Sequence, residues 1–75
     1  MKREKLETYI GRQVKVLLHD GSAYEGCLQK THTEAVRCDD SLYWKHNYYV
    51  LLDAGRNATS PIFRCSHAMR IKEVG

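Results

Sequence analysis

The sequence predicts a small all-β domain: a strongly bent, five-stranded antiparallel barrel with a short N-terminal helix. Three observations point there. Residues 11–28, GRQVKVLLHDGSAYEGCL, contain two alternating apolar–polar runs that meet at Asp20-Gly21, with glycines at 11, 21 and 26. Residues 42–54, LYWKHNYYVLLDA, are dense in the aromatic and branched side chains that suit a pleated surface. No helical pattern separates these runs, so the βαβ alternation of a parallel sheet is missing.

The helix is placed over 2–10, where Leu6, Tyr9 and Ile10 share one face at i, i+3, i+4 spacing. Gly11 ends it, because glycine takes the left-handed conformation at a helix C-terminus without penalty. Val14, Val16 and Leu18 then define the buried face of a first strand. Asp20-Gly21 is a tight hairpin turn of the kind with positive φ at both central positions. The returning strand places Tyr24, Gly26 and Leu28 on one face. Gly26, inside that strand, marks a sharp bend or a close backbone approach. EAVRC at 34–38 can extend this bent strand, with Asp39-Asp40-Ser41 as a turn. In 42–54, Leu42, Trp44, His46, Tyr48, Val50 and Leu52 alternate with Tyr43, Lys45, Asn47, Tyr49 and Leu51. Both faces are apolar or aromatic, so this strand is covered on both sides. GRNATSP at 55–61 is a loop by composition. IFRCSHAMRIKEV closes the chain as two short strands around Ser66-His67.

At 75 residues the chain forms a single domain, small enough to gain stability from association with other copies. Its 43% hydrophobic content is that of a globular protein. No apolar run approaches the roughly 20 residues of a membrane span, and the charged start, MKREKLETYIG, lacks the apolar centre of a signal peptide. A cytoplasmic protein without membrane attachment is expected. The net charge of +3 is a mild bias toward anionic partners, with the basic residues scattered along the chain. Cys27, Cys38 and Cys65 show no Cys-x-x-Cys spacing and are expected to be free and buried. Zinc needs four ligands, commonly as two close pairs, and Cys65-x-His67 is the one close pair beside His32, His46 and Cys38. No metal or other cofactor is expected. Nor does any Ser-His-Asp order, carboxylate pair or phosphate-cradling loop suggest an enzyme.

The positions Gly11, Val14, Val16, Leu18, Gly21, Gly26 and Leu28 follow G-x-x-V-x-V-x-L-x-x-G-x-x-x-x-G-x-L. This spacing resembles the first motif of the Sm and Sm-like (LSm) proteins, and the helix ending in TYIG resembles that family's N-terminal helix. IFRCSHAMRIK is similar to the second Sm motif, with Arg64 at the arginine place, Cys65 at the glycine place and His67 at the asparagine place. Between the motifs the chain departs from the pattern. In one alignment His32 stands where the family has an aspartate and Ala35-Val36 where it has Met-Asn. In the other, which is preferred, an insertion of about eleven residues brings His46-Asn47 to the Met-Asn position and leaves the aspartate place without a clear occupant. The resemblance implies one Sm-like domain over 1–75, of the SH3-like barrel type. Its parts are a helix at 2–10, a first-motif hairpin at 11–38, an insertion and third strand at 39–53, and a second motif at 62–74.

Sm-like proteins assemble into rings through their fourth and fifth strands and bind single-stranded RNA at the central hole. The resemblance therefore implies a homo-oligomeric ring joined through edge strands around IFRCSHA and MRIKEV. By the same resemblance Arg64 stacks on a base, His67 stacks or donates, Asn47 supplies an amide and His32 belongs to the adjoining loop. Two functions stay open: a ring that contacts single-stranded RNA, and an Sm-like barrel that serves as a protein-interaction or assembly element without RNA. Tyr43, Trp44, Tyr48 and Tyr49 fit inter-strand packing, or alternatively a stacking or docking patch.

Overall fold

Alternation in the first hairpin sets the core. Val14, Val16 and Leu18 are buried on one face of β1 (Gln13–Leu18), while Lys15 is exposed and Leu17 half-buried on the other. The computed structural model describes residues 1–33, 36, 43, 44 and 46–74. Over these residues the chain forms a short helix α1 (Arg3–Glu7), then β1, β2 (Ala23–Lys30), β3 (Tyr49–Leu52) and β4 (Ala68–Glu73). The four strands make one antiparallel sheet in the order β3-β2-β1-β4. Among the described residues the sheet is not a closed barrel and shows no fifth strand.

Residues 58–63 show why. They run along the free edge of β3, yet pair with it only at two isolated bridges, Tyr49 with Phe63 and Leu52 with Ala58. Between these bridges, Pro61 has no N–H to contribute to a ladder. The Ser60 hydroxyl takes over: it accepts from the Leu51 N–H at 3.1 Å and donates to the Pro61 carbonyl at 3.0 Å. A side chain is thus inserted where a continuous strand would place a direct backbone bond. Of the two strands expected around Ser66-His67, the second forms as β4. The first is reduced to the Phe63 bridge, followed by a single 3-10 turn over Cys65–His67.

The expected helix is shorter than 2–10. After Glu7 the backbone tightens into i→i−3 bonds, from Tyr9 N–H to Leu6 and from Ile10 N–H to Glu7, before Gly11 turns at φ 87°. Its apolar face is as the spacing predicts: Leu6 is fully buried, and Tyr9 and Ile10 pack against the same core. The hairpin turn differs in detail. Only Gly21 has positive φ (89°); the Gly21 N–H donates to Leu18 and the Leu18 N–H to Ser22. This is a three-residue loop ending in a left-handed glycine rather than a two-residue turn. Asp20 fastens it, accepting from the Ser22 hydroxyl and backbone N–H, and these bonds hold its carboxyl below the usual range.

Gly26 is a close-approach glycine. A Cβ placed there would lie 2.6 Å from Thr59 Oγ1 and 3.0 Å from both Leu51 Cβ and the Leu52 carbonyl. The strand expected over 42–54 contracts to β3, because Asn47 sits at φ 64°, outside the extended region. All four β3 residues are buried, as two apolar faces require. Leu51 and Tyr49 enter the main core with Leu6, Leu28 and Phe63, whereas Val50 and Leu52 meet Val36 on the other side. Cys27 and Cys65 are free but half-buried rather than buried. Cys38, the 37–42 part of the expected strand and turn, and residues 34 and 35 lie outside the described residues. No described helix is long and apolar enough to cross a membrane.

Candidate nucleic-acid interface

The chain crosses from β2 to β3 through two residues with left-handed backbone, His32 (φ 61°) and Asn47 (φ 64°). Buried Thr31 pins these turns together. Its backbone N–H and hydroxyl both donate to the Tyr48 carbonyl, at 2.9 and 3.1 Å, and its hydroxyl accepts from the Tyr48 N–H at 3.3 Å. His32 and Asn47 are thereby held at the surface beside one another's loops. His32 Nδ1 donates to the Tyr43 carbonyl at 2.7 Å, since a carbonyl can only accept. In the neutral ring Nε2 is then an acceptor. The imidazole also lies 4.0 Å, centroid to centroid, from His46 and 4.9 Å from the Tyr43 ring.

Two open depressions meet at this place. The first, of about 260 Å³, lies between Lys30, His32, Thr33, His46 and Asn47. The second, of about 320 Å³, lies between Arg3, His46, Asn47, Arg64 and Ser66. His46 and Asn47 line both, so Arg64, Asn47 and His32 are brought to one continuous surface. Arg64 is oriented from beneath: its guanidinium carbon is 5.1 Å from the Tyr48 ring centroid, and Nη2 donates to the Tyr48 hydroxyl at 3.1 Å. The contact fixes a planar cation against one aromatic face while the residue stays exposed. Among the described residues neither Arg3 nor Arg64 has a carboxylate in ion-pair contact, so the second depression is positively charged.

His67 is placed elsewhere. The 3-10 turn directs it to a third depression, shared with His19, Asp20, Ile62 and Phe63, and its carbonyl accepts from the His19 N–H. Within one chain, His67 and Arg64 thus line different depressions. Residues 64 and 67 are three apart, an odd spacing that puts them on opposite faces of an extended strand, and the 3-10 turn at Cys65–His67 also leaves them beside different depressions. Arg3 and Tyr48 are the residues that sequence spacing missed. Arg3 is distant in sequence, and Tyr48 sat unassigned within the aromatic cluster. Among the described residues, no three His, Cys, Asp or Glu side chains gather into a metal-holding group.

Beneath the site, α1 is bound to the sheet through one carboxylate. Glu7 Oε2 accepts from the Tyr49 hydroxyl at 2.6 Å and from Lys30 Nζ at 3.1 Å. The Tyr49 bond, then the Lys30 bond, hold the Glu7 carboxyl below its ordinary value. Burial, followed by the bond to Glu7, pushes the Tyr49 hydroxyl well above its ordinary value. Lys30 is thus paired with Glu7, while among the described residues Arg3 and Arg64 make no close ion pair, although Arg3 lies within the field of Glu7.

No family model, curated protein or solved structure matches the chain.

Proposed function

We propose that the protein is a divergent Sm-like module that contacts single-stranded RNA and acts as a homo-oligomeric ring. The observation that carries this reading is Arg64 held against Tyr48, with its free face beside Asn47, His46 and His32 and with Arg3 on the rim. A guanidinium fixed on one side can stack a base on the other, and unpaired cations nearby attract the phosphate. The amide of Asn47 offers a donor and an acceptor for a base edge. His67 is not part of this contact.

The ring reading is supported by the two ends of the sheet. The outer edges, residues 58–63 beyond β3 and β4 beside β1, are the segments that the Sm resemblance joins between copies. Joining them would satisfy backbone groups that a lone chain leaves to water. A second reading, a protein-interaction or assembly element of Sm-like build, is favoured by Trp44, which is 70% exposed, and by the separation of His67 from Arg64.

Binding of oligo-U, oligo-A and mixed RNA at low salt, where phosphate attraction is strongest, tests the first reading. Arg64→Ala is expected to weaken binding while light scattering reports an unchanged assembly. Loss of assembly in that variant would make Arg64 an interface residue. A monomeric mass at high concentration would rule out the ring.

A further inference from the structure

We propose that the solvent face of β1 and β4 is a second anion-binding surface, one that takes the phosphodiester backbone of single-stranded nucleic acid. The register of these strands sets Lys15 directly opposite Lys72, and Leu17 opposite Arg70. Both lysines and the arginine are exposed. Like charges directly opposite across an antiparallel pair work against folding. The same pair of strands ends in the opposite arrangement, where Arg12 and Glu73 make an ion pair at 2.9 Å. Among the described residues the ion pairs are Arg12–Glu73 and Glu7–Lys30, so Lys15, Arg70 and Lys72 have none. Glu25 is the register partner of Lys15 on β2, yet the two do not close an ion pair.

A local rule broken without a compensating contact is the mark of a site held for something outside the fold. The three cations surround a shallow depression of about 290 Å³ lined by Leu17, Ala23 and Ile71. Arg70 and Lys72, two residues apart on one strand, are spaced by about 7 Å, and Lys15 lies about 5 Å across from Lys72. A flexible polyanion with one charge per monomer can meet all three at once. The apolar lining between them suits a sugar or the face of a base, which every nucleotide supplies. The surface has no base-edge reader, so it takes RNA and DNA alike and adds affinity without selectivity.

The test uses the full chain and fluorescence anisotropy with labelled oligo-U, oligo-A and oligo-dT across a fourfold range of salt. Replacing Lys15, Arg70 and Lys72 by Gln together is expected to reduce the salt slope by about 2 for all three probes, roughly 20-fold less salt sensitivity over that range. Arg64→Ala leaves this difference in place and instead changes the ranking of the probes. An unchanged slope in the triple variant overturns the proposal while leaving the Arg64 reading intact. A lost slope together with a silent Arg64→Ala does the reverse. Wild-type protein that binds no probe overturns both. Lys72→Glu covers the case of a triple variant that fails to fold. It creates a favourable pair with Lys15, so its melting temperature should rise by about 1 to 5 °C while binding weakens. A lower melting temperature, or tighter binding of polyglutamate than of the oligonucleotides, would overturn the proposal.

Discussion

Removing the Tyr49 hydroxyl isolates the contact that binds the helix to the sheet. Tyr49 is fully buried, its ring packs 6.2 Å from Phe63, and its hydroxyl ends 2.6 Å from the Glu7 carboxylate. In Tyr49→Phe the ring packing survives and one charge-assisted hydrogen bond is lost, an interaction worth roughly 1.5–3 kcal/mol. Glu7 keeps its bond to Lys30, and its side chain is 34% exposed, so water compensates part of the loss. The expected cost is therefore at the low end, about 1–1.5 kcal/mol, or a melting temperature lower by about 4–10 °C for a domain of this size. The pH dependence gives a second readout. Because the native hydroxyl ionises above its ordinary value of 10.0, the unfolded chain loses this proton first as pH rises. Stability from Tyr49 is complete below about pH 10 and falls above it, by about 1.4 kcal/mol per pH unit, until the native group also ionises. Phe has no such proton, so the gap between wild type and variant should close from about pH 10 upward. Urea denaturation at neutral pH and at about pH 9 to 11 measures both effects. A variant as stable as wild type at neutral pH, or a gap that stays constant through the alkaline range, would refute the assignment.

On the acid side, the lowered Glu7 value means its contribution is present above its ordinary 4.5 and fades as pH falls through the lower native value, so Glu7→Gln should flatten the acid limb of a stability curve. Gly26→Ala forces a methyl against Thr59, Leu51 and Leu52, and urea denaturation should show a loss of about 1–3 kcal/mol. Ser60→Ala leaves the buried Leu51 N–H without its acceptor; it should cost about 1–3 kcal/mol and, by hydrogen exchange, expose the amides of 58–63. Asn47→Gly keeps the left-handed turn and removes the amide, so RNA binding measured by anisotropy should weaken at unchanged melting temperature.

The first hairpin was legible because its residues obey one period. Val14, Val16 and Leu18 alternate inward, and Gly26 makes room for a neighbouring strand, so local pattern and global packing agree. The aromatic run misled for the opposite reason. Its β-forming composition extends over 42–54, but one left-handed residue at Asn47, next to a Tyr48 backbone tied to Thr31 seventeen positions earlier, decides where β3 begins. Strand propensity is a statement about packing surfaces and says nothing of such long-range ties. The site was half legible. Arg64, Asn47 and His67 were all placed by resemblance; the first two share a surface, whereas His67 follows a 3-10 turn to another depression. Arg3 had no signal, since it acts from the far end of the chain, and Tyr48 stood out only as one of an aromatic cluster, with nothing to tie it to Arg64.

The irregular edge at 58–63 also bears on how copies could meet. The N–H groups of Thr59 and Phe63 point inward, to the Leu51 and Tyr49 carbonyls. Alternation then turns Ser60 and Ile62 outward. Pro61 falls at an inward position, so its missing N–H costs the outer edge nothing, and the Ser60 hydroxyl repairs the inner one. A proline in this segment therefore breaks the continuity of the sheet within the chain while leaving the outward backbone groups unaltered. That edge is short, which limits pairing to copies whose β4 arrives in register. For a chain this small, an edge that is poorly paired internally and open externally is the arrangement in which assembly contributes most to stability.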